Sequence, residues 1–184
     1  LEVIKIRKNV VNFTSGVSIN NLSLNENDIG DFKTFLKLSP PLRTEDDRIS
    51  LVQGLKEGLI DVIVSDHKPE DEESKRLTFS QAATGASGIE TLLSLSLELY
   101  HNDSLKLETI IKALTSNPAK ILKIDKGNLS IGNDADLCFV DLDKPWIVKK
   151  EKLISKSKNT SIEDRKLQGK VTNTFVKGKE LFRL

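Results

Sequence analysis

Residues 61–69 read Asp-Val-Ile-Val-Ser-Asp-His-Lys-Pro, a short run with a β-branched apolar centre that stops abruptly in a polar loop. Such runs are typical of a strand covered on both faces, as in a parallel sheet. Polar residues directly after such a strand lie at its carboxyl end, where β/α barrels carry their active sites. The stretch therefore predicts a buried strand with a candidate functional loop at its end.

Two upstream segments fit the same strand–loop pattern. Residues 10–19 form a strand-like apolar segment followed by Asn20 and Asn21, and residues 35–38 form a short strand candidate stopped by Ser39-Pro40-Pro41. Three barrel strands can thus be counted, whereas closure needs about eight. The α/β part is predicted to be a portion of a barrel and not a complete one.

Helices are predicted between and after these strands, and the pattern then changes beyond Gly127. The predicted helices run from an N-cap at Thr44 to about Gly58, and over residues 89–100, 107–114 and 119–122. Short strands with glycine turns follow at residues 137–140, 147–149, 171–176 and 180–182. We place a boundary near residue 126, dividing an α/β part (1–126) from an accessory β-domain segment with the C-terminal tail (127–184).

Composition excludes several classes of function. The chain has 184 residues, 38% of them hydrophobic and 30% charged, which is a globular balance. The net charge of +1 gives no reason to expect binding to nucleic acid or to a membrane surface. No apolar run approaches the roughly 20 residues needed to span a bilayer.

Cysteine and methionine usage carries two further expectations. The single cysteine, Cys138, rules out an internal disulfide and fits a reducing cytoplasm. It lies in an apolar run, so a buried structural thiol is expected there. The sequence has no methionine and begins with Leu1, so we expect a fragment or a processed product.

Asp66 is the main candidate for chemistry. An acid at the end of a buried strand is unfavourable unless a cation or hydrogen-bond donors meet it. Metal coordination would satisfy it, and a carboxylate beside a metal-bound water could also accept a proton. The alternative is an aspartate that caps the next turn. The adjacent His67 is more typical of a hydrogen-bonded loop residue than of a ligand.

Two other positions are candidates for substrate binding. Arg43, after the two prolines, could hold a carboxylate or phosphate, or could instead pair with Asp46 or Asp47. Gly85, in the stretch Thr-Gly-Ala-Ser-Gly at 84–88 before a helix, could present backbone N–H groups to an anion. A glycine-containing helix entrance is common, so this second signal is weak alone.

Several of these segments, in this order, resemble the dihydroorotases and, more broadly, the cyclic amidohydrolases. The carrying stretches are Leu-Ser-Pro-Pro-Leu-Arg-Thr-Glu-Asp-Asp-Arg at 38–48, Gly-Leu-Ile-Asp-Val-Ile-Val-Ser-Asp-His-Lys-Pro at 58–69, Gly-Ala-Ser-Gly-Ile-Glu-Thr at 85–91, Leu-Thr-Ser-Asn-Pro-Ala-Lys at 114–120 and Gly-Asn-Asp-Ala-Asp-Leu at 132–137. Together they span most of the chain.

The resemblance implies the C-terminal portion of an amidohydrolase-type (β/α)₈ barrel plus a small accessory β-domain. It implies a metal-dependent enzyme that interconverts N-carbamoyl-L-aspartate and dihydroorotate in pyrimidine biosynthesis. Asp66 then corresponds to the strand-end aspartate that binds metal and moves the proton to the leaving nitrogen. Zinc suits such a site, because it lowers the pKa of bound water and polarises the carbonyl.

Three positions depart from the family pattern. Asn21 stands where the resemblance places a metal-binding His, and an amide oxygen is a poor substitute for imidazole on zinc. Ser39 stands where the family often has Asn before the two prolines. Glu70 stands where the family has a His that contacts the substrate carboxylate, and a carboxylate there would repel an anionic substrate. By resemblance, Ser39, Arg43, Glu70 and Gly85 form the expected substrate-binding set.

Two functions from different classes remain open. The first is an active dihydroorotase-type hydrolase of which this chain is the C-terminal part, inactive alone and paired with the N-terminal half of the same protein or with a second copy. The second is a non-catalytic dihydroorotase-like subunit that braces aspartate transcarbamoylase. Both place the protein in the cytoplasm.

Overall fold

The computed structural model describes residues 1–8 and 10–184. The helices are α1 (Glu2–Lys8), α2 (Ile19–Ser23), α3 (Glu45–Lys56), α4 (Glu72–Lys75), α5 (Leu92–His101), α6 (Leu107–Leu114) and α7 (Ser116–Leu122). The strands are β1 (Gly16–Ser18), β2 (Val62–Val64), β3 (Leu137–Ile147), β4 (Lys166–Val176) and β5 (Lys179–Arg183). Short 3-10 helices lie at Glu26–Ile29, Thr34–Leu36 and Lys150–Lys152.

Strands β1 and β2 pair in parallel, as the two apolar runs predict. Val17 lies opposite Ile63 in the ladder, and both side chains are buried. Gly16 lies opposite Val62, and a Cβ at this glycine would lie 2.9 Å from a methyl carbon of the valine. The close approach therefore requires a residue without a side chain at position 16. Strand β1 is shorter than the predicted segment 10–19.

The strand predicted at residues 35–38 is wrong. Residues Thr34–Leu36 form a 3-10 helix, in which the backbone N–H groups of Leu36 and Lys37 donate to the carbonyls of Lys33 and Thr34. Because these groups are bonded locally, they are not available to a sheet ladder. Within the described residues of the α/β part, 1–8 and 10–126, there are therefore two strands, in a sheet of their own, where three were predicted.

The predicted helices are confirmed with small shifts of their ends. Helix α3 begins after Thr44, whose hydroxyl accepts from the N–H of Asp47 at 3.2 Å, as an N-cap does. Helix α6 has the predicted bounds, and α5 begins three residues later than predicted. Helix α7 begins earlier, at Ser116, and tolerates Pro118 because the first turn of a helix needs no donor at that position.

Strands β3, β4 and β5 form an antiparallel sheet in the order β3-β4-β5. The strands predicted at 137–140, 171–176 and 180–182 lie within them, whereas the separate strand predicted at 147–149 is wrong, because β3 continues without a break to Ile147. The expectation of a buried thiol in this sheet is wrong, because Cys138 is exposed. The core contacts of the sheet lie at its other end, where Leu167 is buried and Trp146 is partly buried against the core cluster. The stretch around Cys138 extends beyond that core.

One hydrophobic core joins the two parts of the chain. Val148, Ile162 and Leu167 from the second part belong to the same buried cluster as Ile63 and Leu95 from the first. The division near residue 126 stays a prediction. Within residues 1–8 and 10–184, none of the helices combines the length and the apolar composition that crossing a membrane requires.

Ser94 links α5 to the antiparallel sheet by two hydrogen bonds. Its hydroxyl donates to the Gly169 carbonyl at 2.6 Å and accepts from the Trp146 indole N–H at 3.2 Å. Ser94→Ala leaves both partners unpaired in a buried place, so we expect a loss of about 1–3 kcal/mol in the free energy of unfolding, measured by urea denaturation.

The matched control is Ser96→Ala on the same helix. Ser96 is equally buried, but its hydroxyl donates to the Leu92 carbonyl within α5 itself, at 2.7 Å. We expect a smaller loss for this variant. Equal losses for the two variants would contradict the role given to Ser94.

Candidate functional site

Asp66 lies at the carboxyl end of β2, beside the end of β1. The Ser18 hydroxyl donates to Asp66 Oδ2 at 3.2 Å, and Ser18 itself is buried. The Asp66 backbone has a φ of 49°, a left-handed conformation that Asp and Asn adopt more readily than most residues. Among the hydrogen bonds of the described residues, none has Asp66 capping a turn, and its Oδ1 has no donor. The parallel pairing thus holds one oxygen of the carboxylate and leaves the other for a further partner.

His67 is engaged by the neighbouring loop. Its Nδ1 accepts from the backbone N–H groups of Gly88 at 3.2 Å and Ile89 at 3.4 Å. A neutral imidazole that accepts at Nδ1 carries its proton on Nε2, so neither nitrogen of that form offers a lone pair to a metal. The loop role predicted for His67 is confirmed. The Lys68 N–H donates to the Ala86 carbonyl at 2.9 Å, so residues 66–69 and 85–88 run side by side.

Gly85 occupies the closest approach between these two loops. Its φ is 142°, and a Cβ there would lie 2.6 Å from the Lys68 carbonyl oxygen, so a side chain is excluded. Its N–H donates to the Lys37 carbonyl at 3.0 Å and is therefore engaged within the protein. The Gly85 N–H is thus not free to bind an anion as the sequence suggested, and the place of Gly85 in a substrate site stays a prediction.

Lys75 is hydrogen-bonded to the segment that leads into Gly85, and its burial is not indicated by the sequence, because it follows an acidic run that is typical of a solvated surface. Its side chain is fully buried and donates to the carbonyls of Ala83 at 2.8 Å and Lys37 at 3.3 Å. Burial lowers the pKa of the Lys75 ammonium to about 8, although the nearby Glu70 opposes the shift. Lys75 thus fixes the carbonyls on both sides of the Gly85 loop.

The other predicted substrate-binding residues differ in how much of their surface is exposed to solvent. Glu70 is partly buried, with its Oε1 3.7 Å from Lys68 Nζ, so a cation lies beside the carboxylate. Ser39 and Arg43 are exposed. Arg43 Nε lies 3.8 Å from Asp47 Oδ2, which is the pairing that the sequence left as the alternative. A cavity of about 690 Å³ opens beside His67 and Glu70 and is closed on its other side by residues 155–158.

Asn20 and Asn21 are buried at the end of β1 and retain unpartnered atoms. Asn21 Nδ2 donates to the Pro41 carbonyl at 3.1 Å, and Asn20 Oδ1 accepts from Ser161 at 3.0 Å. Within the described part of the chain, Asn21 Oδ1 and Asn20 Nδ2 are buried without partners. Asn21 therefore turns its donor to the proline loop and keeps an unbonded acceptor.

The described residues do not fit a complete zinc site. They contain no cluster of three or more His, Cys, Asp or Glu side chains that could hold a metal ion. Asp66 contributes a single carboxylate, the Nδ1 of His67 is engaged, and the Asn21 amide is a weak zinc ligand. This arrangement can orient one carboxylate for proton transfer, and it offers a metal centre one strong ligand.

The sequence of the chain matches the amidohydrolase family over residues 13–181. It is 43% identical over 183 residues to a dihydroorotase of Ehrlichia canis (strain Jake), covering 99% of this chain and 41% of that protein. It is 43% identical over 170 residues to a dihydroorotase of Anaplasma phagocytophilum (strain HZ), covering 92% of this chain and 38% of that protein. The chain thus spans well under half of the length of these relatives.

The fold is similar to that of a solved L-hydantoinase (dihydropyrimidinase) from Arthrobacter aurescens. The TM-score is 0.90 at 29% sequence identity, with 99% of this chain and 42% of that chain covered. A dihydropyrimidinase from Brevibacillus agri gives a TM-score of 0.89 at 22% identity, which concerns the fold alone. The arrangement of strands and loops around Asp66 thus lies within a fold that cyclic amidohydrolases share.

The buried ammonium of Lys75 predicts a pH dependence of stability. Its pKa falls from 10.5 to about 8 on folding, so between these values the unfolded chain holds a proton that the folded chain releases. The free energy of unfolding therefore rises with pH across this window, by at most about 1.4 kcal/mol per pH unit from this group. Lys75→Met should remove this rise, as measured by urea denaturation between pH 8 and 10. An unchanged pH slope in the variant would show that Lys75 is not the group responsible.

Proposed function

The chain belongs to the amidohydrolase family, and on that premise we propose that it is the C-terminal part of a dihydroorotase-type cyclic amide hydrolase. The relatives named dihydroorotase support this substrate class. The proposal includes a (β/α)₈ barrel, of which β1 and β2 are two neighbouring strands, with β3–β5 in the accessory β-domain. The observation that carries it is Asp66 at the strand end with one oxygen held by Ser18 at 3.2 Å.

Asp66 has the chemistry that opening a cyclic amide needs. When the C–N bond breaks, the leaving nitrogen must receive a proton, and a carboxyl group within hydrogen-bond distance can supply it after taking one from the attacking water. Ser18 fixes the rotation of the carboxylate, so that Oδ1 faces the reacting atoms. The substrate pair that we propose is N-carbamoyl-L-aspartate and dihydroorotate.

Zinc is the metal that the resemblance implies, and this chain offers it one strong ligand, the Asp66 carboxylate. In the proposed enzyme the other ligands come from a segment outside this chain, either the N-terminal half of the same protein or a second copy. Asn21 stays a proposed ligand position only through its unbonded Oδ1. For the same reason we propose that residues 1–184 are inactive alone. The reducing cytoplasm suggested by the single cysteine is the proposed location.

The negative charge of Glu70 affects how an anionic substrate would bind. A second carboxylate in the pocket repels the substrate, but Lys68 at 3.7 Å and the buried Lys75 lie close enough to offset part of its charge. We propose that Ser39, Arg43 and Gly85 complete the substrate-binding set. To bind substrate, the Arg43 side chain would have to leave its ion pair with Asp47, and this pair is exposed and therefore weak.

The alternative is a non-catalytic subunit that braces aspartate transcarbamoylase. The observations that favour it are the amide at Asn21 and the acid at Glu70, both at positions where the family resemblance places histidines. This alternative needs no zinc, and the surfaces of the chain would serve a protein partner instead of a small molecule.

Asp66→Asn in the whole protein is expected to lower turnover of dihydroorotate by about 10²–10⁴-fold, because an amide cannot carry the proton. Asn suits the left-handed backbone at this position, so the fold should be kept. Asp103→Asn is the matched control, since Asp103 is an exposed aspartate with a similar φ of 59° and should keep full activity. Wild-type turnover in Asp66→Asn would exclude Asp66 from the reaction.

Zinc content and assembly separate the two functions. The hydrolase predicts bound zinc by elemental analysis of the whole protein, together with turnover, and loss of both on prolonged chelation. The bracing subunit predicts a zinc-free protein that coelutes with aspartate transcarbamoylase in size-exclusion chromatography. A zinc-free, inactive protein that binds the transferase would overturn the main proposal.

A further inference from the structure

The connection between β3 and β4 is a closed loop that reaches the functional site. Its ends meet where the N–H of Val148 donates to the Arg165 carbonyl at 3.0 Å and the N–H of Asp164 donates to the Val148 carbonyl at 2.8 Å. The Arg165 guanidinium pairs with Glu98 on α5, with Nη2 2.9 Å from Oε2. We refer to residues 148–165 as the β3–β4 loop. The two ends of the loop, at Val148 and Arg165, are thus held against the rest of the protein, which limits where the middle of the loop can lie.

Asn159 at the tip of the β3–β4 loop is fully buried and uses both ends of its side-chain amide. Its Nδ2 donates to the Gly85 carbonyl at 3.1 Å. Its Oδ1 accepts from the Glu70 N–H and from the Ser87 hydroxyl, each at 3.2 Å. The backbone carbonyl of Asn159 also accepts from the Ser87 N–H at 3.0 Å. One side chain therefore ties together the loop that carries Glu70 and the loop that carries Gly85.

Neighbouring polar groups strengthen this junction. The Ser157 hydroxyl lies within hydrogen-bond distance of the Glu70 carbonyl, at 2.5 Å, and of Asn159 Oδ1, and its single proton serves one of these acceptors at a time. Ser161, two residues after Asn159, donates to Asn20 at the end of β1. The β3–β4 loop thus contacts three of the predicted site segments, around residues 20, 70 and 85. Buried networks of this kind rigidify the groups that they join.

We infer that Asn159 is a positioning residue that holds the Glu70 and Gly85 loops at the spacing in which they bind substrate. Among neutral side chains of this size, only an amide can donate to a carbonyl through its nitrogen while its oxygen accepts from two other groups. Without it, direct links between the two loops remain from the Lys68 N–H and to His67, and Ser157 still bridges the Ser87 hydroxyl and the Glu70 carbonyl, so the loops lose part of their junction. A displacement of about 1 Å in such a site can lower activity about 10²-fold. The part of this inference that concerns substrate rests on the proposed function, whereas the part that concerns the loops does not.

The geometric part is tested on the whole protein by amide hydrogen exchange. Asn159→Ala removes both roles of the amide, so exchange at Glu70, Gly85 and Ser87 should rise by about tenfold relative to exchange at Ile110 in α6. Asn159→Asp keeps the acceptor but loses the donor to the Gly85 carbonyl. It should therefore accelerate exchange at Gly85, while Glu70 and Ser87, whose bonds to Oδ1 and to the backbone carbonyl survive, stay near their wild-type rates.

The matched control for the aspartate variant is Asn128→Asp. Asn128 is exposed, and its Oδ1 accepts from the Ser130 N–H and the Asn133 amide, so both bonds survive the change. Wild-type exchange is expected at all positions named above. If Asn159→Ala leaves the loop amides at their wild-type rates, or accelerates Ile110 by the same factor as the loops, Asn159 does not position the loops and the inference is wrong.

The functional part is tested by kinetics of the whole protein with dihydroorotate. Because Glu70 and Gly85 are assigned to substrate binding and Asp66 to proton transfer, Asn159→Asp should raise KM by about tenfold and change kcat little. A loss in kcat with an unchanged KM would overturn the positioning role. If the wild-type protein has no activity while the exchange results hold, the proposed function fails and the loop assignment stands.

Discussion

The parallel pairing of β1 with β2 is the constraint on which the site depends. Three residue pairs set the register, and the last pair, Ser18 with Val64, brings the ends of both strands to one edge. The pairing requires glycine at position 16, because the Val62 side chain fills the space that a Cβ would need. A shift of one residue would move Ser18 away from Asp66 and turn buried side chains outward. The position of the carboxylate is thus a consequence of a very short ladder.

The loops after these strands use most of their polar groups on each other. The imidazole of His67 receives two backbone N–H groups, the N–H of Gly85 is bonded to Lys37, and Lys75 is buried against carbonyls. These bonds explain why residues that look available for ligand binding in the sequence serve the architecture. The second oxygen of Asp66 is different, since it faces no donor within the described part of the chain. That contrast is the physical basis for assigning the chemistry to Asp66.

The sequence was sufficient where short-range patterns decide the structure. The β-branched run before Asp66 and the N-cap at Thr44 led to correct elements, and helix α6 was predicted to the residue. Residues 35–38 were assigned wrongly, because an apolar run before two prolines reads like a strand, whereas the 3-10 turn depends on local bonds at Lys33 and Thr34. The apolar run around Cys138 likewise indicated a buried thiol. That prediction was wrong, because burial depends on whether another part of the protein covers the sheet at that point, which the local sequence does not specify.

Contacts between distant segments escaped sequence reasoning altogether. Lys75 lies in a charged run typical of a solvated surface, yet it is fully buried beneath the Gly85 loop. Asn159 lies 89 residues from Glu70 in a polar stretch without a motif, and their contact arises only when the β3–β4 loop folds back. For Asp66, its position after a predicted strand was sufficient to predict where the side chain lies, because the carboxyl ends of parallel strands share one edge of the sheet.

A crystal structure of the whole protein with dihydroorotate bound would show where the Asp66 carboxylate lies relative to the reacting atoms. We expect a carboxylate oxygen of Asp66 within about 3 Å of the ring nitrogen or of the attacking water, with Ser18 still bonded to the other oxygen. A ligand bound away from the ends of β1 and β2, with the Asp66 carboxylate turned from it, would show that Asp66 takes no part in the reaction.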